Sequence, residues 1–147
     1  MPGGQIKINA FSDNANDGSL QYSLYICNNV SSTYIYFYDF ADCFRDIGYA
    51  LMNFPQQPDD SINFEIGTDD DQSDYYIALQ FFCFGEPGKC AIHVVIDNHQ
   101  PDPDYCRSEF YITAEPDSLN KLGKMLNEWD PKAINEIVWN AEQLLNC

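Results

Sequence analysis

Hydrophobic and polar positions alternate through the first forty residues. Residues 5–11 place Ile6, Ile8 and Ala10 on one side, and residues 20–28 place Leu20, Tyr22, Leu24 and Ile26 on one side. The run 33–38 sets Tyr34, Tyr36 and Tyr38 against Ile35 and Phe37, in residue types that favour strands. Three strands are therefore expected, the first two joined through a turn cluster at 14–19. The period then lengthens. Phe40, Cys43, Phe44, Ile47, Leu51 and Phe54 recur at three- and four-residue steps, which predicts an amphipathic helix with Asp39 as N-cap and Pro55 and Pro58 beyond its end.

Alternation returns at 61–66. Residues 75–84 and 90–97 read as a hairpin joined through Gly85-Glu86-Pro87-Gly88, with both arms apolar enough to lie centrally in a sheet. Residues 106–113 make a last strand. Two helices are predicted to close the chain. One spans 116–129, with Leu119, Leu122, Met125, Leu126 and Trp129 on one face. The other starts at Asp130-Pro131 and carries Ile134, Ile137, Val138, Ala141, Leu144 and Leu145. Gly123 weakens the first of these by roughly 1 kcal/mol against Ala, so that helix depends on packing. The element order predicts one α+β domain over residues 1–147: a two-layer sandwich, its mainly antiparallel sheet of six to seven strands carrying helices on one face.

Charge changes what this fold is expected to do. Between Ile8 and Gly88 the chain carries thirteen acids and a single base, Arg45, and its formal net charge is −16. With 45% hydrophobic residues the chain is a folded domain and not an acidic tail. Nucleic acid and anionic membranes are unsuitable partners, because both are bound through Lys and Arg. No run approaches the ~20 apolar residues of a membrane span, and no secretory signal opens the sequence, so a cytoplasmic location with reduced thiols is the expectation. A basic protein, a divalent cation or simple solubility remain as readings of the charge, and of these the basic protein is carried forward.

Candidate chemistry is sparse. The Asp69-Asp70-Asp71-Gln72-Ser73-Asp74 run could offer oxygens to Ca²⁺, but it lacks the glycine and terminal acid of the helix–loop–helix calcium motif and reads more simply as a solvated loop. Cys90 and His93 lie three apart on a strand and face opposite sides, against a shared zinc. If Phe84 pairs with Lys89, Cys83 stands opposite Cys90, and a packed thiol pair is expected in a reducing compartment. No nucleophile, phosphate-loop or metalloprotease motif occurs, so neither cofactor nor metal is expected.

Several short stretches together resemble the small cytoplasmic immunity proteins of bacterial polymorphic and contact-dependent toxin systems. They are Phe40-x-x-Cys43-Phe44 followed by Leu51 and Phe54-Pro55, then Phe64-Glu65-Ile66-Gly67, the strands 76–81 and 92–97, and Glu115-Pro116-x-x-Leu119 leading into a helix. The resemblance implies a non-enzymatic, stoichiometric inhibitor of a cognate toxin. Asp59, Asp60, Asp69, Asp70, Asp71 and Asp74 would meet Lys and Arg of that toxin, with Tyr34, Tyr36 and Tyr38 as anchors. Two other readings stand beside it: a small enzyme with a Cys/His site, and a homo-oligomeric scaffold, perhaps a homodimer through the aromatic sheet face or the terminal helices.

Overall fold

The computed structural model describes residues 3–11 and 18–141. Most of the turn cluster at 14–19, together with Leu144, Leu145 and Cys147, lies outside them. The chain is α+β, with two antiparallel four-stranded sheets and two helices. Sheet A joins β1 (Gly4–Phe11), β2 (Leu20–Asn28), β3 (Ser32–Asp39) and β8 (Glu136–Asn140) in the order β3-β2-β1-β8. Sheet B is the meander β4 (Ser61–Gly67), β5 (Tyr76–Cys83), β6 (Cys90–Asp97) and β7 (Arg107–Ala114) in chain order. The single sheet of six to seven strands is thus corrected to two sheets. The polypeptide leaves sheet A after β3, passes through α1 (Arg45–Leu51), and builds sheet B before returning through α2 (Pro116–Glu128) to β8.

Alternation explains most of the strands. Ile6, Ile8, Tyr22, Leu24, Ile26, Ile35 and Phe37 are buried on the inner face of sheet A, and Ile77, Phe81, Ile92, Val94 and Ile112 on that of sheet B. Strand β6 is buried on both faces over nearly all its length, as its apolar run predicts for a central position. Residues of both sheets and both helices join in one core. Where they meet lies a void of about 20 Å³, too small for a side chain, lined by Ile8, Phe37, Phe44, Phe81 and Leu122 among others. Tyr22 lies at the heart of this region. Its ring stacks on Phe37 with centroids 5.1 Å apart, and its buried hydroxyl donates to the Phe40 carbonyl at 2.9 Å.

Helix α1 is shorter than the hydrophobic stripe predicted. Residues 41–44 form turns, and only Ile47, Gly48 and Leu51 are buried within the helix. Asp39 caps nothing helical; it accepts from the Phe40 N–H at 2.7 Å and tightens the exit from β3. Helix α2 holds α1 closely. A Cβ on Gly123 would lie 2.7 Å from the Gly48 carbonyl oxygen and 2.7 Å from the Leu51 Cβ, and one on Gly48 would meet the Asn127 backbone. Asn120 then donates to the Leu51 and Phe54 carbonyls at 2.8 Å each, satisfying groups that the end of α1 leaves open.

The predicted closing helix is not formed over the described residues. Asp130 does start a turn, accepting from the Ala133 and Ile134 N–H groups. The chain then extends and pairs with the free edge of β1 as β8, with Ile6 opposite Trp139. Trp139 is 3% exposed and donates its indole N–H to the Ser118 carbonyl at 2.8 Å, tying β8 to α2.

Candidate functional site

The meander brings the β4–β5 and β6–β7 loops to one end of sheet B, and the acids of the first loop are organised by residues of the second. Gly67 ends β4 with φ +79, and a Cβ there would strike the Tyr75 carbonyl, so this entry to the loop requires glycine. Inside the loop, Asp70 accepts from the Thr68 hydroxyl at 2.7 Å and the Gln72 N–H at 2.9 Å. The Ser73 hydroxyl donates to the Tyr75 carbonyl at 2.7 Å and accepts from the Thr68 N–H at 2.9 Å. The Thr68 bond, and then that from Gln72, hold the Asp70 carboxyl below its usual range.

Asp97, at the end of β6, is the hub. It is 4% exposed and accepts from the His99 N–H at 2.9 Å, the Tyr105 hydroxyl at 2.8 Å and the Arg107 guanidinium at 3.0 Å. Burial pushes its carboxyl up, but these donors outweigh burial and hold it below the ordinary carboxylate value. Arg107 also grips Asp69 with two bonds, at 2.8 and 3.2 Å, and the hydrogen bonding from Arg107 lowers the Asp69 pKa. A ring nitrogen of His99 meets the Ser73 carbonyl at 2.8 Å, joining the two loops from the other side.

Ligand atoms of Asp69, Asp97 and His99 lie within 4.8 Å of one another, the spacing of a cation site. The Arg107 Nη1 already donates to both carboxylates, so a guanidinium supplies the positive charge that a metal would bring. Above this floor an open depression of about 610 Å³ is lined by Asp69, Asp70, Asp71, Ser73, Asp74, Asp97, His99, Gln100 and Tyr105.

The six aspartates selected from sequence therefore separate into different roles. Asp69 and Asp70 are engaged within the protein. Asp60 accepts from the Gln56 and Gln57 N–H groups at 2.6 and 2.9 Å and shapes its own turn. Asp71 and Asp74 are exposed at the mouth of the depression. Asp59 is exposed too, but Asp59 and Asp60 precede β4 while Asp69–Asp74 follow it. The seven residues of β4 put roughly 20 Å between the two groups, so they do not form one patch.

The tyrosine row stands on β3, an edge of sheet A. Tyr34, Tyr36 and Tyr38 are 52%, 51% and 50% exposed. Tyr34 and Tyr36 meet edge to face with ring centroids 5.2 Å apart, and Phe11 lies 6.4 Å from Tyr36. Two ionised residues of this outer face, Lys7 and Glu136, pair with each other at 3.6 Å. The face is thus nearly neutral on a strongly anionic chain. At its far end the Tyr38 N–H donates to the Tyr75 hydroxyl at 3.0 Å. Tyr75 follows Asp74 and packs against the core, so this bond ties the backbone of β3 to the residue that ends the acidic loop. Sequence reasoning selected the loop and the row separately. It missed Asp97, Tyr105 and Arg107, whose only sequence signal was an isolated Arg entering a strand.

On the outer face of sheet B, His93 contacts Glu109 at 2.7 Å and stacks on Tyr111, and the Tyr76 hydroxyl donates to Glu65 at 2.6 Å, which pushes its pKa up to about 12. A shallow groove of about 250 Å³ lies between these pairs, with Ala78 and Val95 on its floor.

No helix among the described residues is long and apolar enough to cross a membrane. No protein-family model and no curated protein matches the chain. Its fold is similar to the solved structure of the plant transcriptional regulator PBF-2, with a TM-score of 0.52 and 11% identity over 89% of this chain and 76% of that one. At that identity the likeness is one of fold.

Proposed function

We propose that this chain is a cytoplasmic, non-enzymatic immunity protein that neutralises a basic toxin domain through one continuous surface. That surface runs from the exposed Asp71 and Asp74 across Tyr38 to Tyr36, Tyr34 and Phe11. The observation that supports the reading is the Tyr38–Tyr75 hydrogen bond, which ties the strand carrying the tyrosine row to the residue that ends the acidic loop. Interfaces use the two differently: charge steers encounter, and a few aromatic anchors supply most of the affinity. Asp59 and Asp60 add to the long-range field from the other end of β4 without touching the partner.

Two features favour binding over catalysis. The depression at Asp97 is lined by His99 and carboxylates, and the groove on sheet B by His93, and neither lining includes a cysteine. The fold likeness to a transcriptional regulator does not bring a nucleic-acid role with it, because 7 bases against 23 acids oppose phosphate. The test is binding to the product of the adjacent reading frame by surface plasmon resonance. Asp71→Asn with Asp74→Asn should slow association roughly three- to tenfold at low salt and flatten its salt dependence. Tyr36→Ala should speed dissociation by about tenfold or more.

The homodimer reading keeps one observation in its favour. Two copies of a chain at −16 repel, and the neutral face of sheet A is where they would meet at least cost. Sedimentation velocity at several concentrations separates this from a monomeric inhibitor.

A further inference from the structure

We propose that Cys83 and Cys90 form an oxidation site, a dithiol that closes to a cross-strand disulfide when the chain meets a peroxide. The two residues face each other in the β5–β6 register. The Phe84 N–H donates to the Lys89 carbonyl at 3.1 Å, which makes Cys83–Cys90 the next, non-hydrogen-bonded pair. Such pairs hold their Cα atoms about 4.5 Å apart, inside the span that a disulfide bridges. The two sulfurs are already 3.3 Å apart, so bond formation needs a closure of little more than ~1 Å. Both side chains point inward at the rim of the core, held between the two central strands of sheet B. No other two thiols among the described residues are in contact. Cys27 is on the outer face of sheet A, Cys43 sits beside Tyr22, and Cys106 is exposed next to Ser108.

The two sulfurs have different roles. Cys90 is 1% exposed, and burial, with the neighbouring Cys83 sulfur, pushes its thiol up to about 12. Cys83 is half-buried at the end of its strand and is the sulfur an oxidant reaches. Its thiolate attacks one oxygen of the peroxide, the O–O bond breaks, and Cys83 becomes a sulfenic acid while water or an alcohol departs. The Cys90 sulfur then attacks the Cys83 sulfur. The S–O bond breaks, and water leaves with the Cys90 proton. Two electrons pass from the thiol pair to the peroxide.

The bond would clamp the hairpin end of β5 and β6. The acidic loop lies at the opposite end of β5, roughly 25 Å away along eight residues, so oxidation stabilises the sheet and leaves the Asp71–Asp74 surface unchanged.

Full-length reduced protein is treated with one to three equivalents of hydrogen peroxide, its remaining thiols are alkylated, and peptides are mapped by mass spectrometry. The expected result is a Cys83–Cys90 linked peptide with two of the six thiols protected. A rise in melting temperature of roughly 5 °C should accompany it, reversed by dithiothreitol. Cys83→Ser, at the less buried of the two positions, should stay close to the melting temperature of the reduced protein and lose the response to peroxide. A first cross-link through Cys106 or Cys147, an intermolecular bond, or Cys83 advancing to sulfinic acid while Cys90 remains alkylated would each overturn the proposal. The mapping is read on the wild-type chain, so the outcome does not depend on the variant folding.

Discussion

Asp97 meets three donors while almost wholly removed from water, and its removal would leave Tyr105 and the His99 N–H without their partner and Arg107 with Asp69 alone. Asp97→Ala should lower stability by about 2–4 kcal/mol in urea denaturation, whereas Asp59→Ala, at an exposed position, should change it by less than ~0.5 kcal/mol. Acid should act through the same residues. The folded-state pKa values of Asp69, Asp70 and Asp97 are depressed, so each contributes stability that is fully present above the unfolded value near ~4 and is lost as pH falls through the lowered values. Denaturation midpoints should therefore hold steady from about pH 7 to 5 and fall below about pH 4. Asp97→Asn should flatten that fall. The partners of Asp97 were not legible in the sequence because they come together only when the β6–β7 connection folds back and pairs Asp97 with Arg107, and Asp69 joins them only when the meander brings the β4–β5 loop to the same end. Cys83 and Cys90 were legible, because a four-residue turn sets register locally.

At the scale of elements, the strands follow the period-two pattern closely, and the exceptions have physical causes. The closing segment fits both periods: Ile137 and Ala141 are four apart and also two steps of alternation apart. Its Asp130-Pro131 signal is real for one turn. The free edge of β1 and the burial of Trp139 then select extended chain, and a helical stripe would have left that tryptophan off its apolar face. The two readings separate on mutation. Ile134→Ser, which the helix would bury, is at a position 63% exposed and should cost less than about 0.5 kcal/mol, while Trp139→Ala should cost about 3–5 kcal/mol. Helix α2 was legible in place but its glycine was not explained by propensity. Gly123 sits where α1 crosses, so Gly123→Ala should destabilise by about 1–3 kcal/mol despite the better helix propensity of Ala, as thermal melts would show.

Across the whole molecule, alternation marks which residues are buried but not which strands share a sheet. Strands β3 and β4 are neighbours in sequence, and α1 carries the chain from one sheet to the other between them. The acid-rich sequence consequently folds into regions of different character. One end of sheet B is acidic, with part of its charge held internally by Arg107, while the outer face of sheet A is aromatic and nearly neutral. The Tyr38–Tyr75 hydrogen bond ties β3 to the end of the acidic loop, and the proposed function has both regions acting on one partner. Stopped-flow association with the product of the adjacent reading frame, at 50 and 500 mM salt, tests that most directly, using wild type, Asp71→Asn/Asp74→Asn and Tyr36→Ala. The account predicts fast, salt-sensitive association that slows only in the Asp variant, and faster dissociation only in the Tyr variant. No binding, or binding whose rates neither change alters, would contradict it.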